Sequence, residues 1–141
     1  MIVAEVIEQL KALDPQPFRI IAGALELAAV KEQPAATPAA YVFLETEAAA
    51  DNTAMAGAIQ QRVETDLAVV IVASNVADAS GAALASDIET LKRRVIDALV
   101  GFLPFSGCDV ITYASAELVR ARGGFAACQL TFSAPYELDI R

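Results

Sequence analysis

Two pairs of carboxylates are the first residues whose type and spacing could support chemistry. Glu45 and Glu47 form one pair, and Glu64 and Asp66 form the other. Two acids this close could bind a divalent cation or share a proton. Both pairs fall in segments that we predict to be strands, where residues two apart point to the same side. The simpler alternative is a row of exposed acids on a solvent-facing surface, and we favour it.

A glycine pair preceded by two arginines is the second candidate. Arg120 and Arg122 come just before Gly123-Gly124, and the segments on both sides are predicted strands. A phosphate-binding loop would need a following lysine and a strand-to-helix context, and neither is present. The segment is instead predicted to be a hairpin turn. The two arginines could still bind phosphate or the acids of a partner, with a solvated hairpin tip as the favoured alternative.

Other catalytic and metal-binding chemistry finds no support in the sequence. The chain has no histidine, so Ser-His-Asp and Cys-His catalysis and the commonest zinc ligand are absent. Asp78, Ser80 and Asp87 lack the spacing of a calcium loop. Cys108 and Cys128 lie in apolar surroundings, and the predicted hairpin register, with Val119 roughly opposite Cys128, keeps them apart. We expect two free, buried thiols, and we predict no enzyme activity, no cofactor and no metal.

Charge and hydropathy restrict the possible partners. The formal net charge is −8 and the ten lysines and arginines are dispersed, which argues against a nucleic-acid-binding face. Glu5 and Glu8 interrupt the apolar N-terminal segment, so we predict a cytosolic protein with no signal peptide and no membrane partner. Hydrophobic residues make up 56% of the chain. This surplus suggests surface that is buried in an oligomer, and an alanine-rich monomer is the alternative.

One stretch, Arg62 to Ser74, is the element around which we expect the rest of the chain to be organised. In its first half, Arg62, Glu64 and Asp66 alternate with apolar residues and one threonine, the pattern of a strand with one wet face. Its second half, Leu67 to Ala73, is apolar and rich in β-branched residues. We predict that this half of the strand is covered on both faces.

The clearest helix is predicted over Ala82–Phe102, where large apolar residues recur at intervals of three and four. It follows a predicted turn over residues 78–81, where Asp78, Ser80 and Gly81 are candidate N-cap residues. On its outer face Glu89 with Arg93, and Arg93 with Asp97, are spaced for surface ion pairs. The remaining predicted elements are an N-terminal helix over Ile2–Leu13 that ends at Asp14-Pro15, a strand at Phe18–Ile21, strands at Tyr41–Glu47, Cys108–Val119 and Phe125–Ala134, and a C-terminal tail over Pro135–Arg141. Ala24–Val30 is either a short helix or a continued strand, and helix propensity favours the helix.

A long connection, Ala48 to Ile59, separates the first two long strands. It is rich in alanine, with a turn signal at Asp51-Asn52 and a glycine at position 57. Structureless loops of this length in a small domain are usually functional or disordered. We predict a mobile connection that, with the polar start of the central strand, forms a projecting arm near residues 45–62.

These elements predict one domain over residues 1–141 with an α+β fold. We expect an antiparallel or mixed sheet of about four to five strands, with the long helix and the N-terminal helix packed on it. The candidate interface residues are Asp51, Asn52, Arg62, Glu64, Asp66, Arg120 and Arg122.

Five segments, in this order along the chain, carry a resemblance to a known family. They are RIIAGALELAAV (Arg19–Val30), PAAYVFL (Pro38–Leu44), QRVETDLAVVIVASNVADASG (Gln61–Gly81), ALVGFLP (Ala98–Pro104) and FAACQLTFSAPYEL (Phe125–Leu138). The NVADASG turn and the VGFLP ending are the most specific pieces. On these segments the sequence resembles the tail terminator proteins of long-tailed phages and of contractile phage-like particles.

The resemblance implies a structural virion protein that caps the head-proximal end of the tail tube as a homohexameric ring. The cap would stop tube polymerisation and form the surface for head-tail joining. The implied partners are further copies of the chain and the tail tube protein, with sheath and head connector proteins as further candidates, and DNA would only pass through the lumen. The implied location is the virion tail, after assembly in the host cytoplasm. The resemblance implies no catalysis and no cofactor.

Two alternatives stay open. One is another small phage subunit, such as a connector, a head-completion protein or a tail-assembly protein of similar size. The other is a small ligand-binding α+β domain or enzyme, which would need a concave pocket with converging polar groups.

Overall fold

The computed structural model describes residues 2–30, 34–75 and 81–140, and it confirms the α+β fold class. The elements, in chain order, are α1 (Ile2–Lys11), β1 (Ile20–Ala22), α2 (Ala24–Ala29), β2 (Ala39–Ala49), β3 (Ile59–Ser74), α3 (Ala82–Leu99), β4 (Thr112–Arg122), β5 (Phe125–Ser133) and β6 (Tyr136–Ile140). The strands form one mixed sheet in the order β1-β2-β3-β5-β4, and β6 pairs with β3 outside this path. β1 runs parallel to β2, and the other pairings are antiparallel.

The central strand is β3, as the sequence predicts, and it pairs with three other strands. β2 lies along one side of it. On the other side β5 pairs with residues Asp66–Ser74, and β6 pairs with residues Ile59–Val63. The chain passes from β5 to β6 through Ala134-Pro135, where proline supplies no backbone donor for a ladder. Thr65 bridges this break, because its hydroxyl donates to the carbonyl of Ala134 and its carbonyl accepts from the Ala134 amide.

The main core lies between one face of the sheet and the helices α1 and α3. β5 shows why this face is apolar: its residues alternate between buried and half-buried positions, as expected for a strand with one covered face. α3 contributes a stripe of residues that point at the sheet and at α1, namely Leu84, Ile88, Leu91, Val95 and Leu99. α3 contacts β3 and β5, so the helix lies over the middle of the sheet.

The described residues cover the opposite face of the sheet only in part. A smaller apolar cluster there includes Ala39, Tyr41, Val70 and Val72, with Leu27 of the short helix α2 packed against it. The second half of β3 is therefore buried from both sides, as predicted, because the main core covers one face and this cluster covers the other.

Helix boundaries differ from the predicted ones by a few residues. α1 ends at Lys11, where the side-chain amide of Gln16 donates to the carbonyls of Leu10 and Lys11, which satisfies groups that a helix end leaves open. α3 ends at Leu99, and Gly81 occupies its N-cap position. The predicted cap candidates Asp78 and Ser80 lie outside the described residues.

The predicted ion pairs on α3 are confirmed at one position and wrong at the other. Arg93 Nε lies 2.9 Å from Asp97 Oδ1. Glu89 instead meets Lys92, whose Nζ lies 3.5 Å from Glu89 Oε1. Residues three apart on a helix are neighbours just as residues four apart are, so Glu89 had two cations within reach.

Three predictions at the C-terminal end of the chain need correction. The predicted tail over Pro135–Arg141 is wrong, since β6 forms there. The predicted strand from Cys108 starts only at Thr112, and Cys108 makes an isolated bridge to Tyr136. The hairpin turn is limited to Gly123-Gly124, with Arg120 and Arg122 inside β4 rather than in the turn.

The hairpin register differs by one residue from the approximate pairing that the sequence predicts. Cys128 pairs with Leu118 and not with Val119, because the ladder shifts register between Leu118 and Arg120. An extra residue of this kind is a β-bulge. Both cysteines are buried and free, which confirms the prediction that they do not bond to each other.

Candidate functional site

Arg62 is the centre of a charged cluster on the surface at the start of β3. Its Nη2 lies 2.5 Å from Asp109 Oδ2, its Nη1 lies 3.4 Å from Glu137 Oε1, and its Nε lies 3.6 Å from Glu64 Oε1. The guanidinium therefore connects β3 to β6 and to the segment before β4. Planar guanidinium groups suit this task because they offer several donors in a fixed geometry.

Electrostatics in this cluster follow from the contacts. The hydrogen bond from Arg62 lowers the pKa of Asp109 below its ordinary value, because the bond favours the ionised carboxylate. The same hydrogen bond raises the pKa of Arg62, with Glu64 and Glu137 adding to the effect. One cation thus faces three carboxylates, and the cluster keeps a negative net charge at neutral pH. It is exposed to solvent, so it is weak as a stabilising element.

The carboxylate pairs do not converge on a common point. Glu47 Oε1 accepts a 2.6 Å hydrogen bond from the Tyr136 hydroxyl, which raises the pKa of Tyr136. Asp66 Oδ2 accepts a 2.8 Å hydrogen bond from the Thr46 hydroxyl on the neighbouring strand.

Glu45, by contrast, reaches across the open face of the sheet, where its Oε2 accepts from Gln129 Nε2 at 3.0 Å. Within residues 2–30, 34–75 and 81–140, no group of three acidic or cysteine side chains could hold a metal ion. Glu45, Glu47 and Asp66 thus form cross-strand hydrogen bonds on exposed surfaces, while Glu64 pairs with Arg62 of its own strand.

The connection between β2 and β3 is shorter and more ordered by hydrogen bonds than the sequence predicts. It spans residues 50–58. Asn52 Oδ1 accepts from the amides of Ala54 at 3.0 Å and Gln60 at 2.8 Å, and Asn52 Nδ2 donates to the carbonyl of Ala58 at 3.2 Å. The neighbouring Asp51 is exposed. The side chain of Asn52 therefore holds both sides of the loop together, and Asp51 is turned to solvent.

Arg120 and Arg122 lie far from the charged cluster around Arg62, at the opposite end of the sheet. Both belong to β4, where all eleven residues are exposed. Among the described strands β4 has one neighbour, β5, so its outer edge is free. Exposed apolar side chains, among them Leu118 and Val119, accompany this edge.

A hollow of about 560 Å³ lies beside β4 on the open face of the sheet. Its apolar wall comes from α2, β2, β3 and β5, including Leu27, Phe43, Val72 and Phe125. Arg120 and Arg122 line it on the β4 side. Its polar side chains are those of Arg120, Arg122 and Gln129, and its described lining holds no acid, serine or cysteine of the kind that a catalytic site would require.

The structure thus divides the predicted residues into two groups. Arg62, Glu64 and Asp66 lie at the start of β3, at the same end of the sheet as the loop that carries Asp51 and Asn52. Arg120 and Arg122 form the second group at the other end of β3, where Ser74 pairs with Phe125.

Sequence reasoning missed two partners of Arg62, namely Asp109 and Glu137, and it missed Tyr136, the partner of Glu47. Asp109 was missed because it fell inside the strand predicted from Cys108, which starts only at Thr112. Tyr136 and Glu137 were missed because β6 was interpreted as a tail. The signal was present, since Tyr136, Leu138 and Ile140 alternate with acids, which is the period of a strand.

No helix within the described part of the chain is long and apolar enough to cross a membrane.

Comparison with known proteins gives one family match and similar solved structures. The family model described as phage tail terminator protein matches residues 1–141. Among 29 matching chains of solved structures is one from a structure described as the virion of a native gene transfer agent particle. That chain shares 23% sequence identity with a TM-score of 0.58, and the alignment covers 96% of this chain and 93% of that one. At this identity the likeness concerns the fold. No curated protein sequence matches significantly.

Proposed function

This chain belongs to the phage tail terminator protein family, and on that premise we propose that it caps the head-proximal end of a tail tube as a ring of six copies. The chain is a structural phage tail protein. The cap ends tube polymerisation at the finished length and provides the surface for head-tail joining. The observation that carries the proposal is the family match over the whole chain. We propose no catalytic step and no cofactor.

The free edge of β4 supports a multi-copy assembly. An edge strand of eleven exposed residues offers a row of unpaired backbone groups, which proteins normally shorten, cover or charge. The register shifts at Tyr113/Ser115 and Leu118/Arg120 interrupt this row, but the strand remains long. Contact between neighbouring copies in a ring would cover it. Rings arise when two different surfaces of one chain meet and the rotation closes.

The charge of the chain supports a lumen for DNA passage. At a net charge of −8, the protein repels the phosphate backbone more than it binds it. A ring through which DNA slides needs this property, since a basic lining would hold the DNA. In this proposal the tail tube protein binds one face of the ring, and sheath and head connector proteins bind other surfaces. The protein is made in the host cytoplasm and ends in the virion tail.

The loop over residues 50–58 and the start of β3 serve as an arm in this proposal. The arm carries the acids Asp51, Glu64 and Asp66, and Arg62 ties its base to β6. The arm contacts a neighbouring subunit of the assembly. Charge reversal at Asp51 or Glu64 should therefore reduce assembly, and unchanged assembly would count against the arm.

Tail length tests the proposal directly. The gene is deleted in a producing strain, and the tails are measured by negative-stain electron microscopy. We expect overlong tails of variable length, with one length restored by a plasmid copy of the gene. Tails of normal and uniform length in the deletion strain would refute the terminator role. The same micrographs then show whether heads and tails still join, which is the defect expected of a connector subunit instead.

A further inference from the structure

The loop between β2 and β3 presents a large apolar side chain to solvent. Met55 is 85% exposed, and its neighbours on the loop are small residues. The chain reverses at Ala56 and Gly57, which have φ values of 59° and 85°. Below the tip, Asn52 holds the two sides of the loop together, and the Thr53 amide donates to the Gln60 carbonyl at 2.9 Å. Met55 is thus displayed on an ordered turn.

The hollow beside β4 has the complementary character. Its wall is apolar, and its volume of about 560 Å³ lies within the range of about 300–1,000 Å³ that is typical of sites that bury a small ligand. Arg120 and Arg122 stand at its side. Within the described residues, neither arginine lies within 4 Å of a carboxylate oxygen, so no described acid neutralises them.

The loop cannot fill the hollow of its own chain. The hollow is built around Val70 and Val72, near the end of β3, whereas the loop joins the start of β3 at Ile59. Thirteen strand residues at about 3.3 Å each place these points about 40 Å apart. The loop is only nine residues long and is held by hydrogen bonds at its base. The loop and the hollow therefore face different neighbours.

Charge favours a second copy of this chain as the occupant. The loop and the start of β3, residues 50–66, carry three carboxylates and one arginine, so the arm that bears Met55 has a net charge of −2. The two arginines at the hollow are separated from these acids within one chain but would meet them between chains. Opposite charges of this kind set the register and orientation of an interface.

We propose that Met55 of one copy inserts into the hollow beside β4 of the next copy, with Asp51 of the loop close to Arg120 and Arg122. The contact joins two different surfaces of the same chain, so it is head-to-tail and can close into a ring. This inference rests on the proposed ring and names the contact that forms it. The hollow is thus a receptor for the loop of a neighbouring subunit.

Disulfide trapping tests the contact in tails purified from the deletion strain that carries a plasmid copy of the variant gene. The test variant is Met55→Cys combined with Val119→Cys. The matched control combines Met55→Cys with Val110→Cys, because Val110 is 47% exposed and Val119 is 48% exposed, while Val110 does not line the hollow. Under mild oxidation we expect covalent dimers up to hexamers with the test variant and only monomer with the control. The native thiols Cys108 and Cys128 are buried, and the parent protein controls for them.

Several results would overturn the contact. The first is a test variant that forms no covalent oligomers in tails of normal length, and the second is a control variant that forms the same ladder of covalent oligomers. The other two are dimers formed by Met55→Cys alone and a disulfide between Met55→Cys and the tube protein. Because tail length is scored in the same samples, loss of the contact is distinguished from failure of the terminator role. If deletion leaves tail length unchanged, trapping with the purified protein still tests the contact.

Charge reversal gives a second, independent measurement. Replacing both Arg120 and Arg122 by Glu should abolish the covalent ladder, because the hollow would then repel the acidic arm. A further Asp51→Arg change should restore part of the ladder. A ladder of unchanged yield after the arginine replacements would contradict the proposed role of charge. Circular dichroism of the purified variants verifies that they fold.

Discussion

Replacing Asn52 by Ala should open the loop between β2 and β3 without unfolding the domain. The side chain makes three hydrogen bonds, to the amides of Ala54 and Gln60 and to the carbonyl of Ala58. Each bond contributes a net value of about 0.5–1 kcal/mol, in the lower part of the usual range because the site is exposed. Loss of all three should lower the free energy of loop opening by about 1.5–3 kcal/mol. Since about 1.4 kcal/mol is tenfold in an equilibrium constant, loop opening should increase roughly 10- to 150-fold.

Native-state hydrogen exchange measures this effect at the amides of Ala54 and Gln60. Their protection should fall by the stated factor, while amides in the middle of β3 keep theirs because the body of the sheet is untouched. Asn52→Asp keeps the acceptor oxygen for both amides and should retain most of the protection. Thr53→Val removes only the 3.3 Å bond from its hydroxyl to the Gln60 carbonyl and serves as the matched control. Unchanged protection in Asn52→Ala would refute the reasoning that this side chain holds the loop together.

Three further predictions concern the core and the charged cluster. Phe132 is fully buried, so Phe132→Ala should lower the free energy of unfolding by about 3–5 kcal/mol in urea titrations, and a loss below about 1 kcal/mol would contradict its place in the core. Arg62→Gln should raise the pKa of Asp109 towards its ordinary value in an NMR titration. The folded-state pKa of Asp109 is lowered, so its ionised carboxylate stabilises the fold at pH values above its unfolded-state pKa. This stabilisation is lost as pH falls through the folded-state pKa. The Arg62→Gln variant should lose this part of the dependence of stability on acid pH. Glu47→Gln should lower the pKa of Tyr136, whose folded-state value is raised by the hydrogen bond to Glu47. The hydrogen bond stabilises the fold at pH values below the unfolded-state pKa of Tyr136, and this stabilisation is lost as pH rises through the folded-state pKa. An unchanged tyrosine titration in Glu47→Gln would count against the hydrogen bond.

Much of the fold could be predicted because its main elements have strong local patterns. β3 combines alternation with a run of β-branched residues, and α3 has a long apolar stripe, so local chemistry and tertiary packing agree in both. β6 was missed although it alternates, because it is short and follows a proline. Its pairing partner, the first half of β3, lies more than 70 residues away in sequence, and nothing in a short window indicates such a partner.

The candidate site was harder to predict than the fold. Arg62 and Glu64 could be selected by charge and position, but the main partners of Arg62 are Asp109 and Glu137, which reach it only through the pairing of β6. The hollow has no sequence signal at all. It exists because α2 covers one part of the open sheet face, and no other described element covers the strip beside β4. Which part of a face stays uncovered depends on the tertiary arrangement and not on local sequence periodicity.

The apolar surplus of the chain is best explained by where its exposed apolar side chains lie. Leu118 and Val119 are exposed on β4, Met55 is exposed on the loop, and the hollow leaves part of Phe43 and Phe125 open. A monomer with alanine-rich surfaces accounts for the composition, but it does not account for an ordered loop that displays a methionine. The free edge of β4 and the hollow share Val119 and Arg120, so one neighbouring copy could cover both. Under the proposed ring, a single head-to-tail contact would protect the edge from unwanted pairing and bury the apolar surface that the isolated subunit exposes.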